Sequence, residues 1–309
     1  MQQYMRWCIS VLLMAALLLP ATACTTEALP GTFIDGLGRT VNIEEVPETI
    51  ISLAPSNTEI LYALGLEDKL VGVTEYCDYP PEAQDKPKIG GFSTVDIEIV
   101  VEIQPDLILA ANKHKDDIIP ALEGLGLTVF ALDPKTLDEV LESITLVGEI
   151  TGEEEAASLL VAEMSNRIEA VTDETDNLPE AQRLRVFYVT WHDPLMTVGS
   201  GALHNELIQQ AGGTNIFQDL TENYPKISLE AVIEANPQVI ITGISMGSGE
   251  DLPFQFISTE PRLEDVDARI NNRISAITND LVSRSGPRTV DALEQLAEMI
   301  HPEIFGEAE

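Results

Sequence analysis

Basic residues are scarce in this 309-residue chain: 17 Lys plus Arg stand against 52 Asp plus Glu, a formal charge of -35. A field of that sign repels phosphate backbones and anionic headgroups, which excludes nucleic-acid binding. It also disfavours strongly anionic small molecules unless a local basic pocket rescues them. Most of the charge is read as a solubilising surface. Cysteine is nearly absent as well. Cys8 lies in the apolar N-terminal stretch and Cys24 ends it, so only Cys77 remains in the folded body. An intrachain disulfide framework and a zinc-finger type of site are both excluded. The four histidines, His114, His192, His204 and His301, lack the spacing of a metal site. Each is read as a surface or hydrogen-bonded residue, not a ligand. The signatures Gly-x-x-x-x-Gly-Lys and His-Glu-x-x-His do not occur, and no Gly-rich dinucleotide turn follows the first strand. Gly199-Ser200-Gly201 reads as a turn without a base beside it. The chain is not read as an enzyme.

What is present begins with a targeting segment. Arg6 supplies a positive charge, and Trp7 to Leu19 forms an apolar run too short for a span of about 20 residues. Ala21-Thr22-Ala23-Cys24 resembles a bacterial lipobox, with cleavage before Cys24 and lipidation of that cysteine. Residues 1–24 are then a lipoprotein signal peptide and 25–31 a tether. The expected location is extracytoplasmic and membrane-anchored through the lipid.

Hydrophobic residues make up 44% of the chain, enough for a sizeable core. Apolar, β-branched segments around Asp35-Gly36-Leu37-Gly38 predict a hairpin. Buried strands are expected at Thr49–Leu53, Leu70–Val73, Leu107–Ala111 and Thr128–Leu132. Ser56-Asn57-Thr58-Glu59 reads as a capping box opening a helix that Gly65 closes. Strands alternating with helices indicate a mainly parallel sheet covered on both faces. Leu137–Ile150 and Glu153–Val171 then read as consecutive helices, after which alternation resumes from Leu184. The fold class is α/β: two Rossmann-like lobes, at 32–150 and 178–309, joined by a long helix within 151–177. A short internal repeat agrees with this. The segment from Glu98 to Ile108 resembles that from Glu230 to Ile240: a helix, a stopping proline and a buried strand. Asp96 and Ser228 are matching N-caps, and Phe92 and Tyr224 precede the two segments at equal distance. Clefts between such lobes are favoured binding sites.

Aromatic residues form only 5% of the chain, so their placement has weight. Tyr76, Tyr79, Phe92, Trp191 and Tyr224 all fall in loops after strands or before helices, where α/β folds hold ligands. Asp280 and Arg284, four apart, fit either a helical ion pair or polar contacts to a ligand. Glu98 and Glu230, in first helical turns, are favoured there by the helix dipole.

Ser52-Leu53-Ala54-Pro55-Ser56-Asn57-Thr58-Glu59, Asp78-Tyr79-Pro80-Pro81 and Gln104-Pro105-Asp106-Leu107-Ile108 resemble the helical-backbone (class III) periplasmic binding proteins of ABC importers. The similarity runs from Phe33 to Leu296 and is greatest to cobalamin-binding members, alongside the ferric-siderophore and haem members. It implies capture of cobalamin or a related corrinoid between the lobes, delivery to permease subunits, a monomer, and no cofactor or metal of its own. By the resemblance Tyr76, Phe92 and Tyr224 would supply the aromatic wall, to which loop placement alone adds Trp191, and Asp280 and Arg284 would supply the contacts to the corrin's amide rim. Phe92 and Tyr224 depart from the tryptophans of a well-known cobalamin binder. Glu98 and Glu230 match lobe-tip glutamates that dock on permease arginines. Ferric-siderophore or haem capture is the alternative, since few bases (Lys113, Lys115, Lys226, Arg284, Arg288) flank the presumed loops. A zinc or manganese binder would need at least two histidines to converge in the cleft.

Overall fold

The computed structural model describes residues 31–244 and 251–306. Residues 1–24, Cys24 and most of the tether lie outside these. The chain opens with the hairpin β1 (Gly31–Ile34) and β2 (Thr40–Ile43), antiparallel, with Phe33 opposite Val41. Asp35 in its turn is buried and bonds Arg39 and the backbone nitrogen of Ala131, which ties the hairpin to the first lobe.

The first lobe follows as β3 (Ile50–Ser52), α1 (Pro55–Ala63), β4 (Leu70–Val73), α2 (Ile97–Ile103), β5 (Leu107–Ala111), α3 (Ile118–Gly124) and β6 (Val129–Leu132). Its four strands are parallel, in the order β4-β3-β5-β6. Two helices come next, α4 (Leu137–Thr151) and α5 (Glu154–Thr175). The second lobe comprises β7 (Leu184–Val189), the small hairpin β8 (Trp191–His192) and β9 (Leu195–Met196), α6 (Leu203–Gln210), β10 (Gly213–Asn215), α7 (Leu229–Ala235), β11 (Val239–Ile244), α8 (Leu252–Thr259), α9 (Asp267–Ile270), β12 (Ile274–Thr278), α10 (Asn279–Ser283), α11 (Thr289–Ile300) and α12 (Pro302–Phe305). Its order is β10-β7-β11-β12, again all parallel. Numbered within each lobe, both sheets run second, first, third, fourth. The repeat in the sequence is therefore a repeat in topology.

Local chemistry explains the match. Asp96 accepts hydrogen bonds from the nitrogens of Glu98 and Ile99, and Ser228 accepts one from Ala231, so each short helix starts on a side-chain cap. Each ends on a left-handed residue, Gln104 (φ 53°) or Asn236 (φ 43°), followed by a proline that cannot continue the helix. The proposed capping box at Ser56 is not formed. Pro55 occupies the first turn and Ala54 is the N-cap, without a side-chain bond. A proline with φ already set suits that first turn, so the helix starts earlier than the Ser/Glu pattern suggested. Gly65, in the left-handed region at φ 74°, follows its end.

Both sheets are buried on two faces, and period 2 sorts their side chains. Leu107 and Leu109, with Phe130 and Leu132, join one core, while Ile108, Ala110, Val129 and Ala131 join another. In the second lobe Val186 and Tyr188 face the shared core, and Phe187 and Val189 the outer one. The shared core also includes Ala157, Met164 and Val171 of α5, so one apolar body runs from lobe to lobe through the bridging helix. Gly148 permits the tight contact of α4 with α5: a Cβ there would sit 2.4 Å from that of Ala157. Arg167 of α5 adds a fork to α11, 2.9 Å to Glu294 and 2.7 Å to Asp291.

Candidate functional site

The C-terminal ends of the first lobe's strands open onto a cavity of about 660 Å³ between the lobes. Open parallel sheets place ligands at that edge, where the strand order reverses. Ala54–Ser56 follow β3, Tyr76 follows β4, Ala111 ends β5, and Leu132, Asp133 and Pro134 follow β6. Phe92, Ser93 and Thr94 come from the loop before α2. The second lobe contributes Asp280, Ser283, Arg284 and Ser285.

Tyr76 is 59% exposed, and a buried peg holds its loop. The Cys77 thiol sits 3.1 Å from the Thr58 hydroxyl and 3.2 Å from that of Thr74. The phenol ring lies beside Gly91, whose absent side chain leaves room for the Thr94 hydroxyl, 2.7 Å from where a Cβ would be. Phe92 is fixed by a histidine. The backbone nitrogen of Ala111 donates to His114 Nδ1 at 3.0 Å, so the proton of this imidazole is on Nε2, which donates to the Phe92 carbonyl at 2.7 Å. The His114 ring meets the Phe92 ring edge-on, centroids 5.1 Å apart. Burial lowers the pKa of His114, against the opposing pull of the Phe92 carbonyl and with some help from Lys113, which keeps the neutral tautomer in place.

Arg284 and Asp280 meet as the helical ion pair, Nη2 to Oδ2 at 2.9 Å. The pair is one part of a larger cluster that crosses between the lobes. Arg284 Nη1 also donates to Asp78 at 2.6 Å and to Glu59 at 3.3 Å. Arg288 grips Glu59 through two nitrogens, Nε to Oε2 at 2.9 Å and Nη2 to Oε1, and lies 3.8 Å over the Tyr79 ring. Glu59 is 3% exposed. Burial alone would lower the Arg284 pKa; the Asp78 hydrogen bond and the charges of Asp280, Asp78 and Glu59 outweigh it and hold the guanidinium charged. Gly286, buried against the Ser56 backbone, lets the two lobes approach here. Behind the cluster, toward the bridging helix, lies a second cavity of about 350 Å³ walled by Glu59, Tyr79, Arg288 and Arg167.

Of the ligand residues expected from sequence, Tyr76, Phe92, Asp280 and Arg284 thus border one space. Trp191 and Tyr224 stand outside its lining. Trp191 is 45% exposed on the small hairpin, its Nε1 donating to the Asp193 carbonyl at 2.8 Å. Tyr224 is 47% exposed and caps His204 edge-on at 5.9 Å. The two belong to one platform, because Trp191 pairs with Met196 and Met196 bridges to Lys226. Glu98 and Glu230 are exposed in the first turns of α2 and α7, and Glu230 lies 3.5 Å from Arg262. The sequence reading passed over Glu59, Asp78 and the hydroxyls of Ser93, Thr94, Ser283 and Ser285. Glu59 carried only a local signal, and its partners are more than 200 residues away. Of the two roles expected for the histidines, surface or hydrogen-bonded, His114 and His301 take the second, and both are buried, as is His204. His301 bonds Glu303 at 2.9 Å and the Gly212 carbonyl at 3.1 Å. The Nδ1 atoms of His192 and His204 have no hydrogen-bond partner among the described residues. Among those residues, no three His, Cys, Asp or Glu side chains gather as a metal site.

Residues 50–281 match the periplasmic binding protein family. The chain belongs to that family. It is accordingly an extracytoplasmic substrate-binding protein of the transport class, and not an enzyme. It is 33% identical over 287 residues to YvrC of Bacillus subtilis, an uncharacterized ABC transporter substrate-binding lipoprotein, covering 91% of this chain and 89% of that one. The crystal structure of the vitamin B12-binding protein BtuF of Vibrio cholerae superposes with a TM-score of 0.70 at 32% identity, covering 82% of this chain and 97% of BtuF. The haem-binding protein RhuT of Roseiflexus superposes at 0.72 with 25% identity, covering 82% of this chain and 98% of RhuT.

A pH dependence follows from His204. Its burial lowers the pKa from 6.5 to about 4. The unfolded chain therefore binds the proton first, and the stability held above about pH 6.5 is lost as pH falls toward about 4. Urea unfolding of the wild type should lose roughly 2 kcal/mol more than His204→Phe between about pH 7 and about pH 5. Equal losses in the two proteins would show that the imidazole is not held neutral by the fold.

Proposed function

We propose that this protein is the substrate-binding lipoprotein of an ABC importer and that it captures cobalamin or a related corrinoid in the interlobe cleft. The observation that carries the reading is the state of the cavity's basic residue. Arg284 is the one base among the described lining residues, and three carboxylates already meet it. What remains for a guest is two aromatic rings, a set of hydroxyls, shared guanidinium N–H groups and the Asp133 carboxylate, which Lys135 meets at 2.8 Å. A corrin is broad, flat and rimmed with neutral amides. Its faces suit the rings, and its amide oxygens can take hydrogen bonds without bringing charge. Similarity to the vitamin B12-binding protein of Vibrio cholerae supports the same choice.

At about 660 Å³ the cavity takes part of such a molecule. Trp191 and Tyr224, half-exposed on the second lobe, are read as the wall met by the remainder. Haem or a ferric siderophore is the competing guest, supported by similarity to RhuT. Haem propionates and anionic siderophores call for unpaired cations, and the described lining offers none. Protein lacking residues 1–24 should rise in melting temperature with cyanocobalamin and show a smaller effect with haem or a ferric hydroxamate. Stabilisation by haem or the siderophore, with no response to cyanocobalamin, would overturn the assignment.

Delivery is read from the lobe tips. Glu98 and Glu230 occupy equivalent first turns in the two repeats, and we assign them to docking on basic residues of the permease. Glu98→Arg combined with Glu230→Arg should leave cyanocobalamin affinity within about twofold and abolish uptake in cells, since rim charges act mainly on encounter. Loss of binding by the purified double variant would move these residues into the cleft. The mature protein is read as a monomer tethered through acylated Cys24. Cys24→Ser should shift it from the membrane to the soluble extracytoplasmic fraction; unchanged membrane association would remove the lipid anchor from the account.

A further inference from the structure

The interlobe cluster contains more negative charge than a tether needs. One ion pair would join the lobes, yet two guanidiniums here face three carboxylates, Glu59, Asp78 and Asp280. Their arrangement is directional. Glu59 approaches Arg284 from the buried side, Asp78 from the first-lobe loop, and Asp280 from the helical turn below. Both terminal nitrogens of Arg284 are thereby engaged, while the side chain still borders the cavity at 11% exposure.

We infer that Glu59 and Asp78 are specificity-determining residues, which neutralise Arg284 in place so that the cavity accepts amide groups and rejects carboxylates. Discrimination of this kind depends on what is built against the wrong guest. A guanidinium has five N–H donors in a planar fork, so a neutral oxygen can share one without displacing a carboxylate. A carboxylate arriving at the same place meets three like charges whose attraction to the guanidinium is already satisfied. It would have to displace Asp78 or remain unpaired in a partly desolvated cavity, and both are unfavourable. Without Glu59 and Asp78, Arg284 would resemble the anion-binding arginine of an acidic-ligand site. The same fold could thus be retuned between guest classes by a residue that lies five positions into α1 and touches no guest.

This inference rests on the reading that the cavity holds the guest's polar rim. Its test compares guests that differ chiefly in charge. Cyanocobalamin is paired with its monocarboxylic acid, in which one side-chain amide has become a carboxylate, and haem dimethyl ester is paired with haem. Wild type should prefer the uncharged member of each pair. Asp78→Asn, at a side chain that is 42% exposed, should narrow the preference by about fivefold. Glu59→Gln should narrow it further, provided circular dichroism shows the variant folded. A preference unchanged within about twofold in folded Asp78→Asn would overturn the inference. The porphyrin pair separates the two readings. If cyanocobalamin fails to bind while the ester still outcompetes haem in wild type and not in Asp78→Asn, the guest assignment falls and the charge selection stands.

Discussion

A carboxylate taken out of water costs several kcal/mol unless cations and hydrogen bonds replace its hydration. Glu59 is in that position, and both of its cationic partners come from the other lobe. The relative placement of the lobes is therefore a condition for burying this side chain. Removing one partner of a buried pair typically costs about 3–5 kcal/mol, so the cluster resists separation of the lobes at this point. The cavity forms above it and the smaller hinge-side cavity behind it. The apolar core running through α5 gives a second constraint on the same geometry.

The two restraints differ in kind. The core through Ala157, Met164 and Val171 is non-directional and fixes the lobes to a common rod. The ion cluster is directional and sets the facing of α1 against α10 and α11. Gly286 matters because guanidinium bonds of 2.6 to 3.3 Å require the backbones to come close, and a bulky side chain opposite Ser56 would oppose that. Aromatic contacts work on a finer scale. His114 holds the Phe92 loop by its carbonyl and by its ring, so the cavity wall is set before any guest arrives.

Much of the architecture was legible because its signals are local and periodic. Strands buried on both faces read as short apolar runs, and the Gln104-Pro105 and Asn236-Pro237 stops marked where two helices had to end. The repeat located equivalent strands in two lobes, and the sheets do share one order. What the sequence concealed depends on distance along the chain. Glu59 looked like the last member of a capping box, because Ser56 and Glu59 have the spacing and nothing nearby reveals Arg288. Pro55 was the overlooked clue: a proline there starts the helix earlier and leaves Glu59 without a capping role. The β8–β9 hairpin, with two residues in each strand, was too short to announce itself, and Pro253 near the start of α8 obscured that helix. That hairpin sets Trp191, and with it Tyr224, apart from the rings that border the cavity.

The continuous core through the bridging helix has a calorimetric consequence. Lobes that separate about a rod packed on both sides expose no large apolar face, in contrast to domains connected by flexible strands. The heat-capacity change on guest binding should then reflect only the guest and the walls it covers, with no contribution from a closing domain surface.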